Sequence, residues 1–146
     1  MRAVAGLLLL WTIAALAFGQ DEVSGEERFV ADIELQTSAQ FVELLQRASQ
    51  LLVDGAVSQD GTATVAFVLH GPVIRDFLRQ NYAAKREVVD LAASLTALQV
   101  VDIKVCETWL GQNGLQREAL QPFVKTVKYA SGELRRLREE GNYLDF

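Results

Sequence analysis

Residues 64–69, with the sequence TVAFVL, place the strongest single constraint on the fold of this chain. The run is continuously apolar after Thr64 and rich in β-branched and aromatic side chains. A run of this kind, with no alternating polar position, predicts a strand covered on both faces, as in the centre of a parallel sheet. It ends at His70-Gly71-Pro72, where Gly71 permits a tight turn and Pro72 suits the first turn of a helix.

Three further segments have strand patterns. Residues 29–35 and 101–105 alternate between apolar and charged positions, and residues 123–129 form a third segment rich in β-branched and aromatic side chains. The alternation predicts strands with one apolar face and one charged face. Edge placement or a subunit interface would each account for charge on a sheet face, and the pattern leaves both open.

Helical patterns separate these strands. Thr37 and Gln40 have the spacing of a capping box ahead of an apolar stripe, and residues 84–98 carry a second stripe. Ser131 is the expected N-cap of a last helix that Gly141 terminates. Strands that alternate with helices predict an α/β fold with a parallel sheet and right-handed crossovers.

The first residues have the three-part pattern of a secretory signal peptide. Arg2 precedes an apolar run over residues 3–17, and cleavage is expected after the small residue Gly19. A membrane anchor is the alternative, but the run is shorter than the roughly 20 residues that span a bilayer. We therefore expect residues 1–19 to be removed, residues 20–28 to be a flexible acidic lead-in, and the protein to be periplasmic and free of the membrane.

The charge balance argues against some partners. Without Arg2 the chain has 13 basic and 19 acidic side chains, a net charge of −6. Such a chain repels nucleic acid and anionic membrane surfaces. One cysteine and one histidine fall short of the three or four ligands of a zinc site, and no glycine loop for phosphate is present, so no metal and no cofactor is predicted.

Cys106 and His70 are the candidate site residues. Each follows a predicted strand, and the carboxyl ends of parallel strands share the edge at which ligands bind. A helix predicted to start after Cys106 would stabilise a thiolate there, Lys104 would act in the same direction, and Glu107 would oppose both. A single cysteine excludes an internal disulfide and CxxC chemistry. Two plainer interpretations stay open: a buried, inert Cys106, and a His70 that only completes the hydrogen bonds of its turn.

Several motifs together resemble the DsrE/DsrF-like (YchN-like) family. They are the His70-Gly71 turn, the strand that ends at Cys106, and the downstream motifs Gly114-Leu115, Pro122, Ser131-Gly132-Glu133-Leu134 and Leu137-Arg138-Glu139-Glu140-Gly141-Asn142-Tyr143. The resemblance spans residues 29–146. It implies a flavodoxin-like three-layer fold with a mostly parallel sheet of four to five strands, assembled into trimers or hexamers. It also implies that Cys106 accepts sulfane sulfur as a persulfide and exchanges it with a donor or acceptor protein.

Two functions follow. The first is a sulfur-handling protein in which Cys106 carries the sulfur, with Lys104 and His70 tuning it. The second is a non-catalytic binding or assembly module, in which the charged sheet faces and the tail residues Tyr143, Leu144 and Phe146 build an oligomer and Cys106 is structural.

Overall fold

A five-stranded, all-parallel sheet forms the centre of the computed structural model, which describes residues 27–146. The predicted signal peptide, residues 1–19, and most of the predicted acidic lead-in lie outside the described residues. The strands are β1 (Phe29–Ile33), β2 (Val65–Leu69), β3 (Val101–Cys106), β4 (Lys125–Val127) and β5 (Leu144–Asp145). The helices are α1 (Ser38–Val53), α2 (Tyr82–Ala97), α3 (Glu107–Gln112) and α4 (Ala130–Glu139), and 3₁₀ turns occupy Pro72–Phe77, Arg79–Asn81 and Arg117–Ala119.

The strand order is β4-β3-β2-β1-β5, so β2 lies at the centre as its composition predicts. All five residues of β2 are buried, and they alternate between two apolar cores. Val65, Phe67 and Leu69 face the larger core beneath α1 and α2. Ala66 and Val68 face a smaller core beneath α4. The predicted three-layer α/β fold with a parallel sheet is therefore confirmed, with an order that differs from the 2-1-3-4-5 of flavodoxin itself.

The two faces of the sheet are covered unequally. Helices α1 and α2 cover one face, which we call the α1/α2 face, while α4 covers the other, the α4 face, over β1 and β2. On β3 and β4 the α4 face carries Asp102, Lys104 and Lys125, which pair with one another or with α4. Edge placement does not explain the charged positions of β1 and β3, since each of these strands has a neighbour on both sides. On β3 they lie where α4 covers the sheet only in part, and they form ion pairs.

Helix starts and strand ends differ from the sequence expectations at a few places. Thr37 is the N-cap of α1, and its hydroxyl accepts a hydrogen bond from the Gln40 amide at 3.3 Å, as predicted. Ser131 is not the cap of α4, because the chain is already helical at Ala130 and extended Tyr129 is the N-cap. The strand predicted over residues 123–129 is shortened to β4, since only three residues pair with β3.

The C-terminal tail packs on the domain. Leu144–Asp145 forms β5, which adds a parallel edge strand to β1. The Phe146 ring lies 5.7 Å from that of Phe67 and 6.1 Å from that of Phe29. Phe146 therefore contributes to the core of its own chain, whereas Leu144 stays 51% exposed. No helix in the part of the chain that the structure describes is long and apolar enough to cross a membrane.

Candidate functional site

A cleft opens at the carboxyl edge of the sheet, beyond the ends of β1, β2 and β3 and between α3 and the start of α4. The chain leaves β3 into α3, whose Leu110 packs in the core of the α1/α2 face, but it leaves β4 into α4 on the opposite face. Neighbouring strands whose connections diverge in this way create the crevice in which open parallel sheets bind ligands. The crevice measures about 440 Å³ and is here called the cysteine cleft; it is lined by Asp32, His70, Cys106, Thr108, Trp109, Gln112, Tyr129, Ala130, Ser131 and Leu134.

Cys106 lies at the base of this cleft. It is the last residue of β3 and also the N-cap of α3, in an extended conformation with φ −70° and ψ 116°. The residue is only 7% exposed, and that remaining exposure is to the cleft. Its thiol shares the α4 face of β3 with Lys104, because alternate residues of a strand point the same way.

His70 is the neighbour of Cys106 across the strand register. Leu69 of β2 pairs with Val105 of β3, so the residues that follow them, His70 and Cys106, occupy adjacent positions on chains roughly 4.8 Å apart. The amide of His70 donates to the carbonyl of Ile33 at 2.9 Å, which fixes its backbone at the sheet edge. The two residues proposed from the sequence are thus brought to one cleft.

The imidazole of His70 is held by a carboxylate that the sequence analysis did not single out. His70 Nε2 lies 2.5 Å from Oδ1 of Asp32, and Nδ1 lies 4.0 Å from Oε2 of Glu34. Because a carboxylate only accepts hydrogen bonds, Nε2 carries the proton in this pair. Asp32 shares the α4 face with His70 and Cys106, so the two-residue strand period was the signal that could have identified it.

Gly71 makes the turn after His70 possible. Its φ of +107° lies in the region that side chains other than glycine rarely adopt, and a Cβ there would lie 3.2 Å from Cγ of Glu34. A larger residue would therefore displace the loop that carries His70.

Lys104 is part of an ion cluster beneath the cleft and does not line it. Its ammonium donates to Oε1 of Glu133 on α4 and lies 3.7 Å from Oδ2 of Asp102. Arg136 and Lys104 hydrogen bond to the Glu133 carboxylate and lower its pKa from 4.5 to about 2, although burial opposes the shift. The positive charge of Lys104 is therefore matched by neighbouring carboxylates, and the pair ties α4 to β3.

Glu107 also turns away from Cys106. Its Oε1 accepts a hydrogen bond from Oγ1 of Thr126 at 2.6 Å and is 2.5 Å from the Arg117 guanidinium. These two hydrogen bonds lower the pKa of the Glu107 carboxyl, and the one from Thr126 has the larger effect. The side chain consequently bridges β4 and the Arg117 turn, away from the lining of the cysteine cleft.

Aromatic side chains from opposite sides form the cleft walls. Trp109 comes from α3 and packs partly into the core of the α1/α2 face, with the Arg75 guanidinium 5.6 Å from its ring. Tyr129 precedes α4, is 55% exposed and has Lys128 Nζ 5.4 Å from its ring. Leu134 of α4 completes a largely apolar wall. The local sequence pattern does not identify these walls, because the face that α4 covers depends on the strand order.

The chemistry available in the cysteine cleft is that of one thiol beside a carboxylate-held imidazole. Within residues 27–146 no group of three or more histidine, cysteine or acidic residues could hold a metal ion. The first turn of α4 lines the cleft and has no side-chain cap, so the partial positive charge of this helix N-terminus lies at the wall of the cleft that holds Cys106.

Comparisons with known proteins support the fold. No family model matches the chain, and no curated protein matches it either. Among solved structures the chain is similar to MTH1491 of Methanobacterium thermoautotrophicum, a protein of unknown function. The two are 19% identical and superpose with a TM-score of 0.63, over 82% of this chain and 97% of MTH1491. At this level of identity the similarity extends to the fold alone.

Proposed function

We propose that this chain is an exported, DsrE/DsrF-like carrier of sulfane sulfur, in which Cys106 accepts the sulfur as a persulfide. The observation that carries the proposal is that Cys106 and the His70–Asp32 pair line one cleft, at the sheet edge where α3 and α4 leave for opposite faces. A thiol and an oriented imidazole in a mainly apolar cleft are the groups that a one-cysteine sulfur transfer requires.

The proposed step conserves atoms and electrons. The Cys106 thiolate attacks the outer sulfur of a donor persulfide, R–S–SH, and a bond forms between Sγ and that sulfur. The S–S bond of the donor breaks, and its electron pair leaves with the donor as a thiolate, which takes up the proton that Cys106 released. The products are the Cys106 persulfide and R–SH, so no external oxidant or reductant is needed. Attack by an acceptor thiol on the outer sulfur returns Cys106 to the thiol.

The neighbouring residues have distinct proposed roles. Asp32 holds Nε2 of His70, so we propose that Nδ1, which lies 4.0 Å from the Glu34 carboxylate in the resting structure, takes the thiol proton and returns it to the leaving thiolate. The free N–H groups of α4 stabilise negative charge on the sulfur. Lys104 acts indirectly, as a positioning residue, because its bond to Glu133 holds α4 against β3.

Intact-mass spectrometry tests the proposal directly. Because Cys106 is the only cysteine, a gain of one sulfur atom after incubation with an organic persulfide reports on this residue alone. We expect loading faster than that of a cysteine-containing peptide, no loading of Cys106→Ser, and loading of His70→Gln slowed by about 100-fold, the lower end of general acid–base contributions. A wild-type chain that gains no sulfur and alkylates no faster than the peptide would refute the proposal.

The second candidate function is a binding or assembly module in which Cys106 is structural. The burial of Cys106, at 7% exposure, is the observation that favours it. In that case Cys106→Ala leaves every cellular phenotype intact, whereas substitutions in the assembly interface do not. A sulfur-metabolism phenotype of Cys106→Ala would exclude this candidate.

Assembly, partners and location complete the proposal. We propose a homo-oligomer, a trimer or hexamer, that exchanges sulfur with a donor or acceptor protein in the periplasm. The α4 face over β3 and β4, which α4 leaves open, and half-exposed Leu144 support an interface. Native mass spectrometry gives the oligomeric state. The mass of the N-terminal peptide, measured on protein from the periplasmic fraction of cells, shows whether residues 1–19 are removed on export.

A further inference from the structure

We infer that the cysteine cleft selects organic persulfides with an apolar group beside the sulfur, and discriminates against thiosulfate and other donors that carry a sulfonate. This inference rests on the proposed function, because it names the substrate class that Cys106 meets. It is carried by the walls of the cleft and by the positions of Lys104, Arg75 and Lys128.

The walls of the cleft are suited to an organic group. Trp109 comes from α3 and Tyr129 from the start of α4, and Leu134, a residue of the smaller core, also lines the cleft. A cleft of about 440 Å³ lies in the size range of sites for organic ligands. Thiosulfate would leave most of that volume to water, and it has no apolar atoms to contact the aromatic rings.

The nearby cations lie outside the lining of the cleft. Among the residues that the structure describes, no lysine or arginine lines the cleft. Lys104 is bound to Glu133, Arg75 lies over Trp109 and donates to Asn113 at 2.9 Å, and Lys128 lies over Tyr129. Sites for sulfonate-like and phosphate-like anions use arginine or lysine as direct donors, and this cleft offers none.

The charged groups at the rim add repulsion. Asp32 lines the cleft, and Glu34 lies 4.0 Å from His70 with its carboxylate largely exposed. The N–H groups of α4 carry a partial positive charge of roughly half a unit, which favours the single negative charge of the Cys106 thiolate as it meets a neutral persulfide. This partial charge does not also offset the two negative charges of thiosulfate, which the carboxylates of Asp32 and Glu34 repel.

Competing donors provide the test. Second-order rate constants for loading of Cys106 are measured by intact mass with benzyl persulfide and with thiosulfate, on the full chain and on a cysteine-containing peptide. The peptide gives the intrinsic preference of a thiol for each donor. For each acceptor we take the ratio of the rate constant with benzyl persulfide to that with thiosulfate. We expect this ratio to be at least roughly 30-fold larger for the chain than for the peptide, a factor within the range that apolar pockets provide.

Variants identify the cause of the preference. Trp109→Ala is expected to slow loading from benzyl persulfide about tenfold and to leave thiosulfate unchanged, while Tyr82→Ala, an exposed tyrosine on α2, changes neither. Glu34→Lys places a cation at the rim and is expected to raise the thiosulfate rate about tenfold. A chain with the same donor preference as the peptide, or a Trp109→Ala variant that slows both donors equally, would overturn the inference and leave the proposed function standing. A chain that no donor loads would refute both.

Discussion

Replacing Glu133 by glutamine tests the ion cluster that joins α4 to the sheet. The carboxylate accepts hydrogen bonds from Lys104 and, at 2.7 and 2.9 Å, from Arg136. Its side chain is 11% exposed and that of Lys104 is 13% exposed, so water screens their pairing only in part. The substitution keeps the shape of the side chain and removes its charge, which leaves the Lys104 ammonium with the more distant Asp102.

The pKa of Glu133 sets the size of the effect. A fall from 4.5 to about 2 corresponds to about 3 kcal/mol of folding free energy if all of it arises in the native state. Arg136 is half exposed, so solvent screens its share, and we expect Glu133→Gln to destabilise the chain by about 2 kcal/mol at pH 7.

The sign of the pH dependence follows from a folded-state pKa that lies below the unfolded value. The wild-type carboxylate contributes its full stability above pH 4.5, and this contribution is lost as the pH falls from 4.5 to about 2. Urea denaturation at pH 7 and at several values below 4.5 should therefore show the wild type and Glu133→Gln converging on acidification. Glu139→Gln, on the same helix at an exposed position, should stay within about 0.5 kcal/mol of the wild type at pH 7. A difference for Glu133→Gln that does not change with pH would refute the electrostatic explanation and indicate lost packing.

Two further pairs of substitutions test the turn and the tail. Gly71→Ala should lower the free energy of unfolding by about 1–3 kcal/mol, because it places a Cβ at φ +107° and against Glu34. Gly111→Ala is the control: a Cβ there meets open space in α3, so the variant should be neutral or more stable by up to about 1 kcal/mol. Equal effects at the two glycines, measured by urea denaturation, would contradict the steric argument. Phe146→Ala should cost about 2–3 kcal/mol because its ring packs on Phe67 of the core and on partly buried Phe29. Leu144→Ala, at a half-exposed position, should change stability by less than about 1 kcal/mol. A Phe146→Ala variant with an unchanged thermal midpoint would show that the tail does not support the core.

The sequence by itself determined the layers of the fold and the sheet edge at which the candidate residues lie. The apolar run before His70 can only be buried on both faces, and the alternation in β1 and β3 fixes which side chains point together, because strand periodicity is a local property. Cys106 ends one strand and His70 follows the strand beside it, so any parallel arrangement brings both to the same edge. Thr37 as a cap follows equally from local hydrogen bonding.

Only the tertiary structure decided the strand order, and the cleft depends on that order. Nothing local in α4 specifies that the chain returns past three strands to add β5 beside β1, which puts α4 on the opposite face from α3. The long-range contacts follow from this placement: Asp32 hydrogen bonds to His70, Glu133 pairs with Lys104, and Tyr129 lines the cleft. These contacts join residues far apart in sequence, and the free energy that selects them comes from burying the α4 face as a whole, which no short segment of the chain encodes.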